Sequence, residues 1–325
     1  MIDHIENMDA GEGWGTTRLW VEKSVGAQVE QAVTLHGGIT SEIRRLRLGG
    51  ERPRSLVLRS FSDAFYRRHA RGLLTREADV LTLLARTGVP AAELVAVDPA
   101  GDHCDHPSLL MSLLPGEVRL DGSGADERAP LLARQLLDIH RVEAGASERP
   151  RDYEAWTTAD EVEAPEDTRR PDVWQRAVDV IRRRPPTFRP VFLHRDFHPG
   201  NVLFTGAGPE LRVSGVVDWV ETSWGPADLD VAHCSTNLAL LHGAAAGLAF
   251  AEQYVAAGGQ LAPDPYDRMY WRLLDALAFA PDAEDVADPW RALGRTDLTD
   301  DLVKERLEDY VQAVLDLCAR ETDAS

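Results

Sequence analysis

Asp196 and Asn201 stand five residues apart in a polar loop enclosed by two apolar runs, within Phe192-Leu193-His194-Arg195-Asp196-Phe197-His198-Pro199-Gly200-Asn201-Val202-Leu203-Phe204. Loops pinned between regular elements are common seats of catalytic groups. Further along, a second apolar run, Gly215-Val216-Val217, ends in Asp218-Trp219. An Asp, an Asn and a second Asp across a hairpin supply one base and two hard oxygen ligands. Magnesium binds such oxygens and leaves its other positions to phosphates and water. Phosphoryl transfer asks mainly for positioning and charge neutralisation, so a carboxylate that orients a hydroxyl beside a magnesium ion is most of the machinery. Asp196 is the candidate catalytic base, and Asn201 and Asp218 are the candidate metal ligands.

The elements that must position these groups can be read from the apolar pattern. Residues 29–61 give three strands: Val29 to Leu35, Glu42 to Leu48 beyond a Gly37-Gly38 turn, and the run Leu56-Val57-Leu58 after Pro53. Two of these form a hairpin. Leu73 to Arg86 has helical spacing that stops at Gly88-Val89-Pro90, and this helix carries Glu77. Strands follow at Glu93 to Val97 and Ser108 to Leu114, before the Pro115-Gly116 turn. After residue 120 the pattern predicts helices over Asp126 to Val142 and Asp172 to Arg184, short strands at Val191 to His194, Asn201 to Phe204 and Val213 to Asp218, and helices through most of Asp228 to Arg320. At 325 residues two lobes are expected, with the division at residues 1–114 and 115–325.

The composition, 44% apolar and 27% charged, is that of a folded soluble protein. A net charge of −19 argues against nucleic acid or an anionic membrane surface as a partner. The charge is uneven: residues 1–115 carry 13 basic and 15 acidic side chains of totals of 35 and 54, which leaves −17 to the remainder. Such a surface would attract a cationic ligand, and plain solubility accounts for it equally well. Cys104, Cys234 and Cys318 are too scattered for a disulfide framework or a paired-cysteine zinc site. With neither a leader-like N-terminus nor a long apolar run, the cytoplasm is the expected location. Lysine occurs only at Lys23 and Lys304, so a cationic phosphate contact falls to arginine.

The set His194-Arg195-Asp196, Asn201 and Asp218, with His198-Pro199 inside the loop and Gly225-Pro226 followed by Asp230-Val231-Ala232, resembles the aminoglycoside phosphotransferase family. The resemblance covers most of the chain. It implies an α+β, protein-kinase-like two-lobed fold, with an N-terminal antiparallel sheet plus one helix and a larger, mainly helical C-terminal lobe. By the same resemblance, residues 1–114 would bind the nucleotide and residues 115–325 would hold the catalytic loop and the acceptor. Gly37 and Gly38 resemble an abbreviated glycine loop over the phosphates. Arg59 stands where a kinase fold usually carries its phosphate-binding lysine, and Glu77 resembles that residue's ion-pair partner. Ser112 to Leu114 resembles the connector whose backbone meets the purine edge, so Ser112 and Leu114 join the cofactor-binding set. His140 resembles a family helix-end histidine and is read as packed support for the core, and Asp230 as a residue that fixes backbone.

The resemblance implies Mg2+ with ATP or GTP as donor and a hydroxyl on a small cationic acceptor, foremost an aminoglycoside or another antibiotic. Glu221 and the cluster Asp282, Glu284, Asp285 and Asp288 are candidate acceptor contacts, although the cluster reads more readily as a solvated loop, since charge runs usually face solvent. Choline, homoserine or sugar kinases are relatives, so a metabolite kinase is the alternative acceptor class. A non-catalytic nucleotide-binding module is another, motivated by Arg59 and the thin glycine loop. A zinc hydrolase using His194, Asp196 and His198 is a rival from another class, but it leaves Asn201, Asp218 and Arg59 idle.

Overall fold

The computed structural model describes residues 14–35, 41–50 and 54–323. Gly37, Gly38 and Pro53 lie outside the described residues. Two compact units divide the chain: residues up to Pro115 together with Val217–Val220, and Gly116–Val216 with Glu221–Ser325. The four-residue segment Val217–Val220 thus clusters with the first unit, an excursion that a single cut in the sequence does not anticipate.

The first unit opens with α1 (Gly15–Val25), followed by β1 (Val29–Leu35), β2 (Glu42–Leu48), β3 (Arg54–Ser60), α2 (Ala64–Arg67), α3 (Ala70–Leu84), β4 (Leu94–Asp98) and β5 (Ser108–Ser112). The strands form one antiparallel sheet in the order β1-β2-β3-β5-β4. One face packs Val29, Leu46, Leu48, Leu56, Leu58 and Leu110 with Trp14 and Val21 from the start of the chain and α1. Each such fully buried aliphatic side chain stabilises the fold by about 2 kcal/mol. Helix α1 has no counterpart in the apolar pattern of the sequence because it buries only Thr17 and Val21 and carries no apolar stripe. The sheet therefore has more than one helix with it. Helix α3 starts a turn earlier than its apolar pattern, since Ala70-Arg71-Gly72 adds no period. Strand β5 stops at Ser112, whose N–H donates to Glu93 O at 2.9 Å, short of the expected Leu114.

The second unit contains β6 (Glu117–Val118), α4 (Ala125–His140), α5 (Pro171–Ile181), β7 (Pro190–Leu193), β8 (Val202–Thr205), β9 (Arg212–Val216), β10 (Ser223–Pro226), α6 (Ala227–His242), α7 (Ala244–Ala256), α8 (Pro265–Leu277), α9 (Ala287–Ala292) and α10 (Asp300–Asp323). Strands β6, β8 and β9 make one small sheet, and β7 pairs with β10 in another. Strand β10 has no alternating pattern and was not anticipated; Gly225 is required there because a Cβ would lie 2.8 Å from Tyr153 and 2.9 Å from Leu193. The helices share a core built on Trp174, Leu240, Trp271, Leu273, Leu277, Trp290, Leu307 and Tyr310. Helix α6 runs through the middle of it, buried on nearly every side.

Candidate active site

The loop that follows β7 is shaped by one carboxylate. Arg195 adopts a left-handed φ of +74°, which a non-glycine residue holds only when its surroundings fix it. Here Asp230, at the start of α6, accepts the His194 N–H on Oδ2 and the Arg195 N–H on Oδ1, both at 2.8 Å. His140 Nε2 donates to Asp230 Oδ2 at 3.2 Å while its Nδ1 accepts from the Tyr254 hydroxyl at 2.6 Å. Burial pushes the Asp230 pKa up, but the His140 bond and the charges of the loop hold it below the ordinary carboxylate value. His140 and Asp230 are therefore a buried brace for backbone.

The loop's own histidines complete its shape. His194 Nδ1 accepts the Asp196 N–H at 3.2 Å, and His198 Nδ1 accepts the Gly200 N–H at 3.1 Å, capping the single turn Pro199–Asn201. That turn aims Asn201 back at Asp196. Asn201 Nδ2 donates to Asp196 O and to Asp196 Oδ2, each at 2.9 Å. Both partners can only accept, so the amide nitrogen must face them and the amide oxygen must face away. An outward amide oxygen on a fixed turn is a hard donor suited to a divalent cation that prefers oxygen.

Asp196 is held at its other oxygen as well. His233 Nε2, on α6, lies 3.0 Å from Asp196 Oδ1, and His233 Nδ1 lies 3.0 Å from Asp275 Oδ1 on α8. Burial alone would raise the Asp196 pKa; the hydrogen bond from His233 brings it well below the usual range instead. Trp156 stands beside the pair, 42% exposed, its ring edge-on to His233 at 5.1 Å and carrying the Arg195 guanidinium 3.9 Å above its face.

The remaining expected site residues lie in the first unit. Arg59, near the end of β3, donates from Nη1 to Glu77 Oε2 at 3.1 Å and to Asp218 Oδ1 at 3.0 Å. Glu77 on α3 is 1% exposed; burial raises its pKa and Arg59 opposes the rise. Asp218 does not end the strand, which stops at Val216. It sits beyond β9 with φ +65°, its side chain 29% exposed. Neighbouring α3 residues hold this segment: the Trp219 N–H donates to Glu77, and the Arg76 guanidinium donates to Val220 O. Ser112 ends β5, and its hydroxyl accepts the Glu93 N–H at 2.8 Å. Its own N–H is also bound to Glu93, which ties the end of β5 to the start of β4.

Asp196 and Asn201 are thus joined in the second unit, and Arg59, Glu77 and Asp218 in the first. The sequence reading missed His233 as a partner of Asp196, and missed Asp275 altogether. A signal existed for both: each is a lone polar residue in an apolar helical run, Val231-Ala232-His233-Cys234 and Leu273-Leu274-Asp275-Ala276-Leu277, and buried charge requires a partner. The zinc alternative finds no support in the arrangement. His194 and His198 are spent on backbone, and among the described residues no group of three or more His, Cys, Asp or Glu is placed to hold a metal. Glu221 is paired with Arg151, Glu284 with Lys304 and Asp288 with Arg291, so much of the acidic set read as acceptor contacts is internally neutralised. All three cysteines are buried and free. Among the described residues no helix is long and apolar enough to cross a membrane.

An antiparallel sheet with α3 pairing Glu77 to a β3 cation, joined in one chain to a helical unit with an Asp-x-x-x-x-Asn loop, defines a kinase-like phosphotransferase. The chain belongs to the phosphotransferase enzyme family, whose model matches residues 35–272. Its fold is similar to that of a Ralstonia eutropha protein named for the aminoglycoside phosphotransferases, with a TM-score of 0.62 at 18% identity over 93% of this chain and 98% of that one. A spectinomycin phosphotransferase solved with ADP and spectinomycin aligns with a TM-score of 0.57 at 14% identity, over 93% and 97% of the two chains. A type I macrolide 2'-phosphotransferase aligns at 0.55 and 20% identity, over 87% and 96%. Among curated protein sequences none matches the chain significantly. The family implies a nucleotide as phosphoryl donor.

Proposed function

We propose that this protein transfers the γ-phosphoryl group of ATP or GTP to a hydroxyl of a small, cationic acceptor, an aminoglycoside or another antibiotic. The observation that carries this reading is the double hydrogen bond from Asn201 Nδ2 to Asp196, which presents a carboxylate base and an outward amide oxygen from one rigid turn. Asp196 orients the acceptor hydroxyl. As the new bond between acceptor oxygen and phosphorus forms and the bond to the nucleoside diphosphate breaks, the hydroxyl proton passes to the Asp196 carboxylate. A carboxylate with so depressed a pKa is a weak base, which suits a loose transition state in which positioning matters more than early proton removal.

Asn201 and Asp218 would be the oxygen ligands for Mg2+, each a hard donor of the kind it prefers: an amide oxygen turned away from Asp196, and a partly exposed carboxylate. When bound, the ion supplies charge neutralisation at the phosphates. Arg59, with Glu77 fixing its direction, contributes positive charge to the diphosphate side. Gly37 and Gly38 are assigned to the phosphate loop, and the backbone of Ser112 to Leu114 to the purine edge. Residues 1–114 serve the nucleotide and residues 115–325 the chemistry and the acceptor.

The charge of −17 over residues 116–325 supports a cationic acceptor, and the exposed Trp156 beside the base offers a face on which a sugar ring or an aromatic group can stack. Names among the structural neighbours, spectinomycin and macrolide phosphotransferases, agree with an antibiotic. The test is ADP and GDP release by purified protein with magnesium, across aminoglycosides, macrolides, peptide antibiotics, choline, homoserine and sugars. Release stimulated by an antibiotic supports this acceptor class. Stimulation by a metabolite replaces it, and nucleotide binding with no release across the panel removes the enzyme.

A further inference from the structure

His233 occupies a position that the assignments above leave without a role. It is 4% exposed in the middle of α6, and both its ring nitrogens meet carboxylates: Nε2 at 3.0 Å from Asp196 Oδ1, Nδ1 at 3.0 Å from Asp275 Oδ1. Carboxylate oxygens accept, so the ring that satisfies both is the doubly protonated imidazolium; a competing donor, Asn237 Nδ2, lies farther from Nε2, at 3.2 Å, and also bonds the His233 carbonyl. Asp275 is itself fixed: the Thr236 hydroxyl donates to its Oδ2 at 2.7 Å, and its side chain is fully buried. The backbone of His233 is tied by Asn237, whose Nδ2 donates to the His233 carbonyl at 2.9 Å.

We propose that His233, clamped from behind by Asp275, is the positioning residue for Asp196, a cationic strut that fixes the carboxylate at Oδ1 while Asn201 fixes it at Oδ2. This inference rests on the transferase reading for its catalytic half. A carboxylate held by one donor can rotate about its bond to Cβ; held by donors at both oxygens it cannot, and its remaining lone pairs point in a set direction. Preorganisation of that kind lowers the cost of orienting the acceptor hydroxyl. The charge of the strut also keeps Asp196 ionised, at the expense of its basicity.

From its own helix the imidazole meets Asn237 Nδ2, 3.2 Å from Nε2. Asp196 and His198 come from the catalytic loop, the His198 ring 5.9 Å away, and Asp275 comes from α8. Arg195 lies behind Trp156, and the Trp156 edge and the stacked Phe279 ring, 5.8 Å away, are the apolar walls. Burial opposes protonation of His233, but the two carboxylates outweigh it and raise its pKa to about 9. The strut is then intact at neutral pH and is lost as pH rises through that value.

Two measurements on the full chain test the proposal. The first is the 15N spectrum of the histidine rings in protein labelled at histidine, with the His233 signals identified by their absence in H233Q. Both ring nitrogens protonated at pH 7.5, losing one proton near pH 9 in wild type and at lower pH in D275N, is the expected result. A singly protonated ring at pH 7.5 overturns the strut. The second is turnover of ATP with magnesium, using water or the acceptor found in the panel. D275N, which keeps the shape of the side chain but removes the charge, should lower kcat about tenfold with the KM for ATP within twofold, and shift the alkaline limb of the rate to lower pH. An unchanged kcat and alkaline limb removes His233 from the reaction. Wild-type protein with no turnover overturns the transferase reading and with it the catalytic half of this one, while the ring spectrum still decides the electrostatic half.

Discussion

One guanidinium nitrogen, Arg59 Nη1, lies 3.1 Å from Glu77 Oε2 and 3.0 Å from Asp218 Oδ1, so a single cation links β3, α3 and the segment after β9. Removing it leaves Glu77 buried without its counter-charge. Arg59→Ala should therefore destabilise the protein by about 3 kcal/mol, the usual cost of breaking a buried ion pair. Glu77→Gln in the same chain should recover part of that loss. Urea denaturation of the three variants checks this, and equal stability of Arg59→Ala and wild type would mean that the link carries no energy.

Asp230 accepts two backbone N–H groups and one imidazole N–H. Asp230→Ala strands those donors in a buried place. A loss of about 3 kcal/mol is expected, since bonds to a charged acceptor are worth about 1.5–3 kcal/mol each and relaxation recovers some. Because the loop's left-handed Arg195 depends on this carboxylate, any folded variant should also be slow. Thermal unfolding with parallel ADP-release assays separates the two effects.

Asp228 provides a pH test of a different kind. Both its oxygens accept the Ala262 N–H at 3.1 Å, yet burial dominates and raises its pKa to about 6. The folded state thus binds the proton more tightly than the unfolded chain, whose carboxyl titrates near ~3.9. This residue's contribution to stability is therefore greatest below ~4 and declines as pH rises to about 6. Asp228→Asn should gain on wild type by about 2 kcal/mol between pH 4 and pH 7. Denaturation midpoints at the two pH values read the difference, and a constant gap between the proteins would contradict the buried-carboxyl account.

Much of the fold was legible because its strands and most of its helices carry clean apolar periods: β1, β2, α4 and α5 fall within a few residues of their expected limits. What was missed lacked a period. Helix α1 buries two side chains, and β10 is four residues of Ser-Trp-Gly-Pro. Asp196, Asn201 and Asp218 stand out in the sequence because their spacing and residue types are unusual together, and the roles given to them above are proposals. The links from Arg59 to Asp218 and from His233 to Asp196 were not, because they join residues 159 and 37 positions apart, and only the folded chain brings such pairs within 3 Å. Paired charges also explain why acidic residues read as acceptor contacts, such as Glu221, turn out to face arginines of their own chain.

Asp218 is assigned to the metal. Asp218→Ala should weaken magnesium-dependent nucleotide binding by at least tenfold and leave binding measured in EDTA almost unchanged, because only the metal-mediated part is lost. Calorimetry with ATP, with and without magnesium, checks it. An equal loss in both conditions would place Asp218 in the fold alone.

The most direct test of the central claim is the rate of phosphoryl transfer by Asp196→Asn. The substitution retains the shape and the Asn201 and His233 neighbours but removes the proton acceptor. With the acceptor identified in the panel, kcat should fall about a thousandfold, within the range ascribed to a positioned base, while the Kd for nucleotide with magnesium stays within about twofold and unfolding remains cooperative. A variant that folds, binds nucleotide and transfers phosphate at the wild-type rate would contradict the assignment of Asp196 and the account built on it.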